Sequence, residues 1–348
     1  MGVKSRKMLA TLVAMITGLG STTIGASVIA YESMFQREDR PDYSLTLGVN
    51  CLERSTLTNR ELLTFKVDRV KHQGYYYKAE NAKGLVVFCH GLKSGADDYL
   101  TIYEYFVKNN FSVFSFDSTG VYDSDGFDMI GMCQFLVAMD GALKFVKTHK
   151  ELKTLPLFVA GHSLGGYAAA SSLELHKEIL GAGLIAPVNN GYTLILEKGS
   201  QYAGKLALFP KPFINTYQKL LFGRYTNYNG VKGINSSSAK VFVAHGKGDK
   251  TITFDGQSII AKRKEITNDN TTYYITENLQ GEHESLMYSI AAINYQQMIN
   301  EQLELLKKSG DFTEEKEREF IKGVDHKLYS QVNTDLLDKM IETFNCCL

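Results

Sequence analysis

Leu157-Phe158-Val159-Ala160-Gly161-His162-Ser163-Leu164-Gly165-Gly166-Tyr167-Ala168-Ala169-Ala170 is the stretch that decides how this chain is read. Four apolar residues suggest a buried strand, the alanine run suggests a helix, and a G-x-S-x-G turn joins them. A strand-to-helix turn this tight forces its central residue into a strained backbone conformation. The residues two before and two after Ser163 must then be tiny, and both are glycine. Such a turn presents the serine hydroxyl at a sheet end, beside a helix N-terminus whose free amides can hold an anion.

The surrounding chain supplies matching parts in order. Upstream, Leu85-Val86-Val87-Phe88-Cys89 is a short apolar strand candidate that runs into His90-Gly91-Leu92-Lys93-Ser94-Gly95. Downstream, Val241-Phe242-Val243-Ala244 runs into His245-Gly246-Lys247-Gly248-Asp249. A last strand candidate, Thr272-Tyr273-Tyr274-Ile275-Thr276, precedes Gly281-Glu282-His283-Glu284-Ser285. Serine, then acid, then histidine is one of the known orders of the serine triad.

On these residues the chain resembles the α/β-hydrolase superfamily over roughly residues 62–308. The H-G-L loop and the H-G-x-x-D segment most resemble its monoacylglycerol-lipase-like and serine-aminopeptidase-like branch. The resemblance implies an α/β fold: a mostly parallel central sheet, helices on both faces, and a small helical cap inserted before the acid-bearing strand. It also implies Ser163 as nucleophile, His283 as base and Asp249 as the acid that orients it. The backbone N–H groups of Leu92 and Leu164 would form the oxyanion hole. Of the other histidines, His162 would point away from the reaction, while His90 and His245 would brace loops. His149, His176 and His326 lie in polar, helix-like stretches that read as solvated, and His72 precedes the motif region. Asp117 is the main competitor to Asp249; in the family pattern its loop, Asp117-Ser118-Thr119-Gly120, is braced by that aspartate, which stays outside the triad. Asp249 also suits a helix N-cap. Pro187-Val188-Asn189-Asn190 offers no carboxylate at the alternative acid position.

Composition narrows the partners. The 348 residues carry 44% hydrophobic and 22% charged side chains, ordinary for a globular protein large enough to bury one substantial core. With 38 basic and 38 acidic residues the net charge is zero, so no nucleic-acid footprint is present. No P-loop or G-x-G-x-x-G follows a strand, and no cysteine or histidine pairing has metal-ligand spacing, so neither a cofactor nor a metal is expected. The five cysteines form no disulfide framework, and Cys89 and Cys133 sit in apolar runs. No obligate protein partner is implied.

Met8 to Ala30 is a run of 23 uncharged residues preceded by Lys4, Arg6 and Lys7. Its length predicts an N-terminal membrane anchor within residues 1–30, although six Ser or Thr and three Gly dilute it. The basic flank predicts a cytoplasmic N-terminus and an extracytoplasmic catalytic domain. Cleavage near Ala30 with secretion is the alternative, and a hydrophobic helix docked on the domain is the plainer one. Residues 31–60 then read as a tether and 61–348 as the hydrolase domain. Within Leu62 to Glu80, two β-rich runs around His72-Gln73-Gly74 predict an opening hairpin. Tyr99, Ile102, Tyr103 and Phe106, and then Met132, Phe135, Leu136, Met139 and Leu143, recur at helical spacing and predict crossover helices. Residues 189–239 are too long for a simple connection and read as the cap. Its aromatics are Tyr192, Tyr202, Phe209, Phe213, Tyr217, Phe222, Tyr225 and Tyr228, which serve either as packing or as an apolar roof over Ser163. Residues 311–348 read as a charged helical extension.

The chemistry expected is hydrolysis of a small ester or monoacylglycerol-like lipid through an acyl-enzyme on Ser163. A serine peptidase that releases N-terminal residues is the second reading, and a non-catalytic surface binding protein on the same fold is the third. An aminopeptidase needs a carboxylate for the substrate amine, and the cap offers only Glu197.

Overall fold

The computed structural model describes residues 29, 32–57, 59–194, 197 and 211–348. Eight strands form one sheet: β1 (Glu61–Val67), β2 (Val70–Tyr77), β3 (Gly84–Cys89), β4 (Phe111–Phe116), β5 (Leu157–His162), β6 (Gly181–Ile185), β7 (Lys240–Gly246) and β8 (Thr271–Thr276). Their order across the sheet is β1-β2-β4-β3-β5-β6-β7-β8. β2 is antiparallel to β1 and β4, and every pair from β4 onward is parallel. β3, β4, β5 and β6 are buried along their whole length. This is why they read as unbroken apolar runs and not as alternating ones.

Among the α-helices of the described residues are α1 (Leu100–Lys108), α2 (Cys133–Thr148), α3 (Leu164–Leu175), α4 (Lys211–Phe222), α5 (Gly230–Asn235), α6 (Ile290–Lys307), α7 (Glu314–Lys322), α8 (His326–Tyr329) and α9 (Thr334–Asn345). Both predicted apolar stripes are core. Phe135, Leu136, Met139 and Leu143 of α2 join the cluster on one face, with Ala168, Ala169 and Leu173 of α3 and the odd-numbered β3 residues Leu85, Val87 and Cys89. Ile102, Tyr103 and Phe106 of α1 join the other, with Val86 and Phe88. The alternation of β3 side chains between two cores is the period-two geometry of a strand covered on both sides.

α9 completes the second face. Its Leu336, Leu337, Met340, Ile341 and Phe344 are buried, and the Phe344 ring centroid lies 4.7 Å from that of Phe158 on β5. The C-terminal segment therefore covers the sheet, whereas α6, directly after the β8 loops, buries only Ala292, Ile299 and Leu303. The predicted opening hairpin is β1–β2, but its turn is Asp68-Arg69, where Asp68 adopts φ 55°. His72-Gln73-Gly74 lies inside β2, paired with Phe65, Thr64 and Leu63.

Residues 36–57 run against the domain through specific polar contacts. The Arg37 guanidinium donates to the carbonyls of Tyr122 (2.6 Å), Ser124 (3.2 Å) and Gly126 (2.9 Å). Arg40 and Arg60 both pair with the buried Asp97, and Arg40 also meets Asp123 at 2.7 Å.

The expected membrane anchor needs correction. Among the described residues no helix is long and apolar enough to cross a membrane. Of the segment 8–30, only Ile29 is described; the remainder lies outside the described residues. Length alone was a poor guide here, because nine Ser, Thr and Gly residues in Met8 to Ala30 lower the apolar content a span requires. The described residues thus contradict the single-pass topology and, with it, the extracytoplasmic placement of the domain.

Candidate active site

Ser163 stands between the last residue of β5 and the first of α3, with φ 57° and ψ −117°. A non-glycine residue held at positive φ is a strained position that the surroundings must enforce. The enforcement is visible: Ser163 N–H donates to the Ile185 carbonyl at 2.9 Å, and its own carbonyl accepts from Tyr167 N–H at 3.1 Å. The glycines are required by contact. A Cβ on Gly165 would lie 1.9 Å from the Cys89 carbonyl oxygen, and one on Gly161 would lie 2.4 Å from Gly165 backbone atoms. Chain crossing at the elbow thus leaves no room for a side chain on either.

The loop after β3 lies directly beside this turn. A Cβ on Gly91 would sit 3.5 Å from Ser163 Cβ. Gly91 N–H donates to the Tyr99 hydroxyl at 3.0 Å, and the same hydroxyl meets His162 Nδ1 at 3.0 Å. Tyr99 therefore ties the loop carrying Leu92 to the residue preceding Ser163. His90 holds the loop from its other side, with Nδ1–H donating to the Gly91 carbonyl at 2.7 Å while Nε2 accepts from Ser118 N–H at 3.0 Å. Leu164 is buried and Leu92 half-buried, and no hydrogen bond takes up either N–H among the described residues.

Asp249 follows β7 and His283 follows β8, and the fold brings them together. His283 Nδ1 donates to Asp249 Oδ2 at 2.7 Å. The other oxygen, Oδ1, accepts from the N–H groups of Thr251 (2.8 Å) and Ile252 (2.7 Å), so the capping geometry and the histidine contact coexist on one carboxylate. His245 Nε2 lies 3.3 Å from Oδ2 and 2.8 Å from the Ile252 carbonyl. Burial alone would raise the Asp249 pKa, but the hydrogen bonds from His245 and His283 outweigh it and hold the carboxyl well below the usual range. His283 is buried, and its ring centroid lies 4.7 Å from that of His162, the chain neighbour of Ser163.

Asp117 does different work. It is fully buried, accepts from Ala96 N–H at 2.9 Å and from the Tyr75 hydroxyl at 2.7 Å, and braces the loop that leads into α1. Burial pushes its pKa up to about 7. Burial also pushes His72, His90 and His162 down to about 4 each.

Two other histidines depart from the sequence reading. His176 is buried and meets Asp140 Oδ1 through Nε2 at 2.8 Å; Lys144 and the Tyr225 hydroxyl share that carboxylate's other oxygen. His326 meets the Leu47 carbonyl through Nδ1 at 2.7 Å. The role of Tyr99 was also missed, because its spacing marks it as a core residue and its hydroxyl is invisible to periodicity. The aromatics Tyr217, Tyr225 and Tyr228 pack against the core cluster, and Phe222 is buried.

Residues 80–224 match the family model described as serine aminopeptidase, S33. No curated protein sequence matches the chain. Among solved structures, an esterase of Pyrococcus furiosus superposes with a TM-score of 0.52 at 18% identity, covering 83% of this chain and 98% of its own. An α/β hydrolase from Penicillium sp. sh18 gives a TM-score of 0.51 at 14% identity over 73% of this chain and 100% of its own. At such identities the likeness is one of fold. Together with the matched segment, it means that the chain has the α/β-hydrolase fold and, over residues 80–224, resembles the serine-aminopeptidase-like branch.

Proposed function

We propose that the chain is a serine hydrolase that cleaves a carboxylic ester, with Ser163, Asp249 and His283 as its triad. The observation that carries this reading is the 2.7 Å bond between His283 and Asp249, formed beside a strained serine elbow. Ser163 Oγ attacks the ester carbonyl carbon while His283 Nε2 takes its proton. His283 then returns that proton to the departing alkoxide, leaving an acyl group on Ser163. Water, deprotonated by His283, attacks the acyl carbon; His283 gives that proton to Ser163 Oγ as the acyl–oxygen bond breaks and the acid leaves. Asp249 stays ionised throughout and holds Nδ1–H in place. The N–H groups of Leu92 and Leu164 receive the oxyanion, each donor typically contributing about 100- to 1000-fold in rate.

The substrate is a small ester or monoacylglycerol-like lipid held under a cap formed by residues 189–239. A peptidase reading needs a carboxylate free to bind an amine. Glu197, the one acid in that segment, instead accepts from the Thr253 hydroxyl at 2.7 Å.

A panel of p-nitrophenyl esters set against aminoacyl-anilides tests the choice. We expect ester turnover that disappears in Ser163→Ala and drops by roughly 10⁴ in Asp249→Asn, the scale on which losing the orienting aspartate acts in such triads. Turnover of anilides alone would overturn the ester assignment.

A further inference from the structure

Two histidines and a carboxylate converge at the same end of the sheet, and the triad uses only one of them. One ligand atom each from His162, His283 and Glu284 lie within 4.8 Å of one another. Both rings are oriented from behind through Nδ1, His283 by Asp249 at 2.7 Å and His162 by the Tyr99 hydroxyl at 3.0 Å. That leaves the two Nε2 atoms. His162 Nε2 is buried, and the His283 main chain lies within hydrogen-bonding reach of the His162 ring. Imidazoles fixed at one nitrogen by a carboxylate or hydroxyl are oriented as metal-ligating imidazoles are.

We propose that His162, His283 and Glu284 form an inhibitory site for a divalent cation of the zinc type. Two imidazoles and one carboxylate suit zinc, whereas calcium and magnesium prefer all-oxygen surroundings. Zinc bonds of about 2.0 Å set tetrahedral ligands about 3.3 Å apart, so the group must contract slightly on binding. Glu284 is exposed and supplies that movement, while both histidine rings are buried and held. The inhibitory consequence rests on the Ser163-Asp249-His283 reading: the His283 lone pair that binds the cation is the one that accepts the Ser163 proton. Coordination and proton transfer exclude each other.

The test is calorimetric titration of the full chain with zinc chloride, run on wild type, Ser163→Ala and Glu284→Ala, with ester turnover measured in parallel. We expect one zinc per chain in wild type and in Ser163→Ala, and at least tenfold weaker binding in Glu284→Ala. Glu284→Ala should turn over ester normally without zinc and need at least tenfold more zinc for half-inhibition. A chelator should restore activity, and magnesium should leave it unchanged. Binding in Ser163→Ala separates this site from the catalytic reading: zinc bound in a Glu284-dependent way by a chain with no ester turnover would retain the metal site and remove the triad's function. No zinc bound by wild type, equal affinity in Glu284→Ala, or stimulation by zinc would overturn the proposal.

Discussion

At Ser163 the fold stores strain where the chemistry is expected. A side chain at φ 57° and ψ −117° occupies a region that glycine enters freely, and holding it there costs about 1–3 kcal/mol. Ser163→Gly should therefore remove the hydroxyl and raise stability by about 1 kcal/mol after glycine's own entropy loss is counted. Chemical denaturation reads the outcome, and a destabilised Ser163→Gly would contradict the strain argument. The residues of this constellation were legible because each must occupy one spot in a short motif: Gly161 and Gly165 leave room for crossing backbone, and Ser163 stands between them. Tyr99 was not legible as a tie, since hydroxyl contacts to Gly91 and His162 depend on which elements the sheet brings together. The pairing of His162 with Glu284 escaped for the same reason: one ends β5 and the other lies in the loop after β8, far apart in the chain, and no spacing rule links them.

The elements follow the same logic with different failures. Fully buried strands and apolar helix stripes could be read from the sequence because both core faces select apolar side chains at fixed periods. The hairpin was legible, but around His72-Gln73-Gly74; the chain turns instead at Asp68, and Gly74 sits in β2 where a Cβ would meet the Phe114 ring at 2.6 Å. α9 was read as part of a charged extension because its exposed face carries Asp335, Asp338, Lys339 and Glu342, while the opposite face seals the sheet. Helix–helix contact gives a prediction at this scale. A Cβ on Gly233 of α5 would stand 2.0 Å from the Ala170 carbonyl of α3, whereas one on Gly183 of β6 would meet the flexible Met340 thioether at 2.3 Å. Backbone cannot give way as a methionine can. Gly233→Ala should lower unfolding free energy by about 1–3 kcal/mol, and Gly183→Ala by distinctly less. Equal urea midpoints for the two variants would contradict this account of the packing.

Across the whole molecule, buried titratable groups couple stability to pH. His72, His90 and His162 stay neutral down to about pH 4 in the folded chain, whereas an unfolded histidine takes up its proton near 6.5. Their contribution is complete above pH 6.5 and is lost as the pH falls toward 4. Asp140 and Asp249, held well below the ordinary carboxylate range, extend the loss to still lower pH. Asp117 works in the opposite sense: with its pKa near 7 it keeps a proton that the unfolded chain releases from about pH 4 upward. Three histidines against one aspartate leave a net uptake of about two protons on unfolding in this window. The melting temperature should fall steadily from pH 7 to pH 5, and a constant or rising value would refute the assignment of these groups.

The architecture joins these scales at one point. β3, β5, β7 and β8 deliver Leu92, Ser163, Asp249 and His283 to the same end of the sheet, and the strain at Ser163 is maintained by the glycines around it. Labelling with a fluorophosphonate, followed by mass spectrometry of the modified peptide, tests that convergence most directly. One phosphonate per folded chain is expected, on Ser163, with labelling abolished in Ser163→Ala and strongly slowed in His283→Ala. A well-folded wild-type chain that takes up no label, or carries it on another residue, would contradict it.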